Sequence, residues 1–114
     1  MNPEAKQAWV AALRSGEYQQ GFGKLRDTKG YCCLGVLCDL ALKAKVARDP
    51  MTNDLQSGWG RGHLPDAVQQ WACLDESDPL VVGPYDSLTS SLGEINDSWD
   101  YDFDAIADII EEQL

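Results

Sequence analysis

Beyond Arg61 the sequence contains no lysine or arginine. All nine basic residues (Lys6, Arg14, Lys24, Arg26, Lys29, Lys43, Lys45, Arg48 and Arg61) fall before residue 62, where six acids leave a net charge of +3. The remainder carries thirteen acids, from Asp66 to Glu112, and a net charge of −13. A field of that sign repels phosphate backbones and attracts cationic surfaces, so direct nucleic-acid binding is not expected and a basic protein surface is the expected partner. Histidine is nearly missing, with His63 the single copy. Long apolar runs are missing too. The opening MNPEAKQAWVAALRSG is broken by polar residues every few positions, so neither a signal peptide nor a membrane span is expected, and the expected compartment is the cytoplasm. The cysteines Cys32, Cys33, Cys38 and Cys73 follow no spaced extracellular framework, and two of them are adjacent, which hinders their pairing. Reduced thiols fit that pattern.

The 114 residues, 44% of them apolar and four of them tryptophan, suffice for one buried core. Asn2-Pro3-Glu4 reads as a helix start, Ala5, Trp9, Ala12 and Leu13 share one helical face, and Gly16 supplies a stop, which predicts a helix over about 3–15. Phe22 to Arg26 can run extended, and Asp27-Thr-Lys-Gly30 can turn the chain back into Tyr31-Cys32-Cys33, which predicts a short hairpin. From about Leu34 the positions Val36, Leu37, Leu40, Ala41 and Ala44 keep helical period, with Asp39 and Lys43 paired on the outer face. Gly35 inside this helix costs about 1 kcal/mol relative to alanine and therefore marks a close approach by another backbone. Residues 48–63 read as a loop. Leu64-Pro65-Asp66 opens a third helix, and Leu80-Val82 is a short strand candidate. Leu88 to Ile95 fits a helix by its apolar spacing but is weakened by Thr89 and the serines. Phe103, Ile106, Ala107, Ile110 and Leu114 share the face of a last helix, with Asp102 as its N-cap. The expectation is a single α+β domain over 1–114, with about four helices and a short antiparallel hairpin or small sheet.

Three groups of residues are candidates for chemistry. Cys32 and Cys33 precede a helix whose dipole favours a thiolate, and His63 could serve as base, which describes a small cysteine-dependent enzyme. The apolar surroundings favour the alternative, in which Cys32, Cys33 and Cys38 are small core residues. Their spacings of one and five residues do not match a zinc knuckle. Asp100, Asp102, Asp104, Asp108 and Glu111 occupy the positions of a calcium-binding loop, yet Ala105 stands where such a loop needs glycine, and the apolar spacing indicates a helix start instead. No metal or other cofactor is expected. The third group is the acidic row Glu94, Asp97, Asp100, Asp102, Asp104, Asp108, Glu111 and Glu112, with Trp99 and Tyr101 interleaved as aromatic anchors.

The stretch GYCCLGVLCDLA (Gly30 to Ala41), with WVAALRSGEYQQGFGKLRD before it and HLPDAVQQWACL and LGEINDSWDYDFDAIADIIEEQL after it, resembles a family of small uncharacterised phage and prophage proteins along nearly the whole chain. The resemblance implies a viral or prophage accessory protein acting in a bacterial cytoplasm by binding host machinery. Combined with the acidic row, it gives the expectation of a non-enzymatic, anti-CRISPR-like inhibitor that imitates nucleic acid and occupies a basic groove of a host defence complex. The alternatives are the cysteine enzyme and a structural or regulatory homodimer.

Overall fold

The computed structural model describes residues 1–46, 64–83, 88–98 and 100–114. The loop expected over 48–63, together with His63 and Trp99, lies outside the described residues. The first helix, α1 (Pro3–Arg14), begins as expected: the Asn2 carboxamide accepts from the Glu4 N–H at 3.0 Å and proline fills the first turn. The same Asn2 side chain donates to the Trp71 carbonyl at 3.1 Å, so one residue both caps α1 and ties it to a distant helix end. Gly16 follows with φ +78°, the left-handed stop that glycine supplies without strain.

The central helix α2 (Cys33–Lys43) is buried along most of its length. Trp9 of α1, itself fully buried, donates its indole N–H to the Cys33 carbonyl at 2.8 Å and fixes where α2 starts. Gly35 meets the close approach its position implied: a Cβ built there would lie 1.7 Å from the Leu25 carbonyl oxygen, a backbone atom that cannot rotate away. Asp39 and Lys43 pair at 3.3 Å on the outer face, and Tyr18 donates a hydrogen bond to the same carboxylate.

The expected hairpin across residues 22–33 is reduced to its turn and one antiparallel bridge, Arg26 with Tyr31. Its turn exists, since the Asp27 carboxylate accepts from the N–H groups of Lys29 and Gly30 at 2.8 and 3.0 Å. Across it the Asp27 N–H donates to the Gly30 carbonyl at 2.9 Å and the Cys32 N–H to the Leu25 carbonyl at 3.1 Å, while Tyr31 turns its own groups to the opposite side, its N–H donating to Gln19 O at 2.8 Å and its carbonyl accepting from the Gly21 N–H at 2.6 Å. Only isolated bridges, Gln20 with Tyr31 and Arg26 with Tyr31, remain.

The two-stranded antiparallel sheet is instead built from β1 (Leu80–Val82), the expected strand, and β2 (Thr89–Ser91), with Val81 opposite Ser90. It follows α3 (Asp66–Ala72), whose end is turned by Cys73 at φ 55°. The ambiguous stretch 88–95 divides: its threonine and serines take β2, and its apolar positions enter α4 (Leu92–Asp97), capped by the Ser91 hydroxyl. The last helix, α5 (Phe103–Gln113), has Asp102 as N-cap and buries Phe103, Ile106, Ala107 and Ile110. It packs along α1, which also contacts α2, so the core lies among these three helices with α4 closing one side. The fold is α+β. Among the described residues, no helix is long and apolar enough to cross a membrane.

Gly35→Ala is expected to destabilise the chain by about 3 kcal/mol or more, because α2 must move off Leu25 to admit one methyl group. Urea unfolding checks this, and a loss below about 1 kcal/mol would contradict the contact.

Candidate functional site

The acidic row is positioned by three connected elements. Glu94 and Asp97 project from α4, Asp100 from the segment that leads into α5, and Asp102, Asp104, Asp108, Glu111 and Glu112 from the cap and exposed face of α5; all eight are exposed. Each has a local reason for its place. Asp102 accepts from the Ala105 N–H at 2.9 Å, and Asp104 sits in the first turn, where negative charge complements the helix dipole. Asp97 accepts from the Gly23 backbone N–H at 2.9 Å, which holds the end of α4 against the 19–31 loop.

The structure divides the row into two parts. Asp108 and Glu111 share Arg14, each 2.6 Å from the same guanidinium nitrogen, so one cation from α1 offsets part of the charge of these two carboxylates. Their hydrogen bonds raise the Arg14 pKa above its ordinary value, Asp108 contributing most and Glu111 next. All three side chains are well exposed, and such a bridge contributes little stability. Glu94, Asp97, Asp100, Asp102, Asp104 and Glu112 form no ion pair with a lysine or arginine among the described residues. A cleft of about 660 Å³ lined by Gly83, Ser90, Glu94, Ile95, Ser98, Asp100 and Tyr101 brings Glu94 and Asp100 to one concavity. Asp102 and Asp104 line another, of about 270 Å³, that also includes Arg14 and Tyr18.

Tyr101 requires a correction. Only 7% of it is exposed, and it belongs to the core cluster, so its ring is not a surface anchor. The signal lay in the sequence DYDFD: between Asp100 and Asp104 the chain alternates, with Tyr101 and Phe103 turned inward and the three aspartates outward. The calcium-loop spacing of these acids is taken up by helix instead. Asp102 caps α5, Asp108 and Glu111 hold Arg14, and no group of three or more metal-ligating side chains gathers among the described residues.

Cys32, Cys33 and Cys38 are buried core residues. Cys32 caps α2 through its sulfur, which accepts from the Gly35 N–H at 3.4 Å, so the helix dipole does act on it. Burial outweighs that effect and pushes the Cys32 thiol up to about 11 and the Cys38 thiol up to about 12; fully buried Cys33 is raised well above the ordinary thiol value for the same reason. Folding therefore favours the protonated thiols. That contribution is whole below the ordinary value of about 9 and is lost as pH rises toward the folded values. A thiol so held is a poor nucleophile at neutral pH.

Over residues 1–114 the chain matches the model of a family described as Domain of unknown function (DUF8296), and it belongs to that family. No curated protein and no solved structure matches it.

A thiol reagent at about pH 8 is expected to titrate one cysteine, Cys73, in the native chain, and all four after denaturation. Prompt native reaction of Cys32 or Cys33 would contradict the burial argument.

Proposed function

We propose that this member of the DUF8296 family is a non-enzymatic binding protein that presents the acidic surface of α4, the α5 lead-in and the first turn of α5 to a basic protein surface. The observation that carries this reading is the set of carboxylates Glu94, Asp97, Asp100, Asp102 and Asp104, exposed and without a cationic partner among the described residues. No lysine or arginine exists after Arg61 to supply one from the same half of the chain. Among the described residues Arg14 pairs with the later acids, Asp108 and Glu111, which supports a surface at the α4–α5 junction that keeps the charge asymmetry of the sequence. Carboxylates spaced on two rigid helices and the short segment between them can imitate a row of phosphates, and desolvating them against arginines and lysines would orient a partner more than tighten it. The phage and prophage resemblance of the Gly30–Ala41 segment supplies the setting. The partner would be a nucleic-acid-binding host complex, with its groove occupied by this surface in place of DNA or RNA. The raised thiol pKa values of Cys32, Cys33 and Cys38 weigh against the rival reading as a cysteine enzyme.

The test is capture from bacterial lysate in increasing salt. Retention is expected to fall at least about tenfold between roughly 50 and 500 mM salt, as the Debye length shrinks below the spacing of exposed charges. Glu94→Lys, Asp100→Lys and Asp104→Lys, combined with Asp102→Asn to preserve the cap of α5, should abolish capture. A partner that stays bound equally at both salt concentrations, or that tolerates the charge reversal, would contradict electrostatic docking.

A further inference from the structure

The β1–β2 hairpin leaves an outer edge whose backbone groups are met by a side chain. Leu92 N–H donates to the Pro79 carbonyl at 2.9 Å and Gly83 N–H to the Leu88 carbonyl at 3.1 Å, so residues 79, 81 and 83 turn their backbone groups toward β2. By the alternation of an antiparallel ladder, Leu80 and Val82 turn theirs away from it. There Gln113, in the last turn of α5, closes both outward groups of Val82. The Val82 N–H donates to Gln113 Oε1 at 2.8 Å, and Gln113 Nε2 donates to the Val82 carbonyl at 2.7 Å. A carboxamide offering one acceptor and one donor side by side does here what the peptide groups of a neighbouring strand would do. The outward N–H and C=O of Leu80 bond to no described residue. Leu80 and Val82 are 54% and 44% exposed, the reverse of Val81 between them at 2%. Alongside runs a cleft of about 240 Å³ whose lining includes Leu74, Asp75, Glu76, Leu80, Gln113 and Leu114.

We propose that the outer edge of β1 is a docking site for an extended basic segment of a partner protein, one with alternating apolar and cationic side chains, which joins the hairpin as a third strand when Gln113 swings aside. Strand addition needs an edge with outward N–H and C=O groups and a surface for alternate side chains, and Leu80, Val82 and the adjoining cleft provide them. Gln113, the side chain that meets this edge, is exposed and can rotate away from it. Charge decides the occupant. The cleft carries Asp75 and Glu76, and although Met1 also reaches it, no lysine or arginine is among its lining residues. A second copy of the chain would bring the same sign of charge to the edge, whereas a segment with lysines or arginines would be drawn to it. This edge shares no residue with the Glu94–Asp104 surface, and the two sites stand or fall separately.

The experiment uses fluorescence anisotropy of a labelled synthetic peptide of four Lys-Val repeats at low salt. Saturable binding is expected, and Gln113→Ala should tighten it about three- to tenfold by removing a competitor that makes two exposed hydrogen bonds. A peptide of the same sequence and charge, N-methylated at alternate residues so that one edge cannot donate, should bind at least about tenfold more weakly. Val82→Pro, with the fold checked by circular dichroism, should also lose binding, and the N-methylated peptide decides the matter if that variant does not fold. Equal binding of the N-methylated peptide would reduce the contact to charge alone and overturn the proposal. So would binding unchanged or weakened by Gln113→Ala, absence of saturable binding, or loss of binding on reversing Glu94, Asp100 and Asp104 to lysine.

Discussion

The buried side chain of Asn96 is the constraint on which the arrangement of the acidic half depends. It is the one polar residue fully removed from solvent among the described residues, and each hydrogen-bonding group of its carboxamide is used. Its oxygen accepts from the Cys33 N–H at 3.1 Å and from Gln20 Nε2 at 3.2 Å; its nitrogen donates to the Gly21 carbonyl at 2.9 Å and to Asp97 Oδ1 at 3.0 Å. Three segments distant in sequence thus meet on one side chain: the start of α2, the 19–31 loop and α4. Gln20 carries the connection one step further, since its Nε2 also reaches the Tyr101 carbonyl at 3.1 Å and so fixes the segment that leads into α5. A fully satisfied buried amide fixes one geometry, while the apolar contacts around it, being non-directional, would tolerate several.

From this node the separation of charge follows. The residues that must turn inward near it, Ile95, Asn96, Tyr101 and Phe103, alternate with acids that can only turn outward, Glu94, Asp97, Asp100, Asp102 and Asp104. Burial of the apolar members thus fixes the carboxylates on a surface without asking anything of the carboxylates themselves. Among the described residues, cations from the amino-terminal half pair with the row in one place, where Arg14 of α1 lies against Asp108 and Glu111 on α5. The cysteine-rich turn that attracts attention as chemistry serves the same framework: Cys32 caps α2 and Cys33 offers its N–H to Asn96 and its carbonyl to Trp9.

Local rules made part of this legible in the sequence. The cap at Asn2, the cap at Asp102, the apolar face of α5 and the Asp39–Lys43 pair each depend on residues within a few positions of one another. Gly35 was readable because a glycine inside a buried helix needs a neighbour close enough to exclude a Cβ, although nothing in the sequence named Leu25 as that neighbour. The turn at 27–30 and the pairing of Arg26 with Tyr31 were readable from local turn chemistry, whereas the contacts of Tyr31 with Gln19 and Gly21 on its other side were not. Tyr101 was misplaced by treating an acid-rich segment as uniformly exposed; the two-residue alternation of DYDFD was the available signal. Asn96 carried one as well, since it lies four residues after Leu92 and one after Ile95, on the face those two bury. The pairing of Gln113 with Val82 spans residues far apart and leaves no local trace.

Native-state hydrogen exchange and urea unfolding of Asn96→Leu test the central role of that side chain most directly. The replacement keeps much of the volume but strands the Cys33 N–H and the Gly21 carbonyl without their partner. The chain should lose about 2–4 kcal/mol, and the Cys33 amide should lose its protection ahead of the amides in the middle of α5. A loss below about 1 kcal/mol, with Cys33 protected as in the parent, would show that apolar packing alone positions the acidic segment.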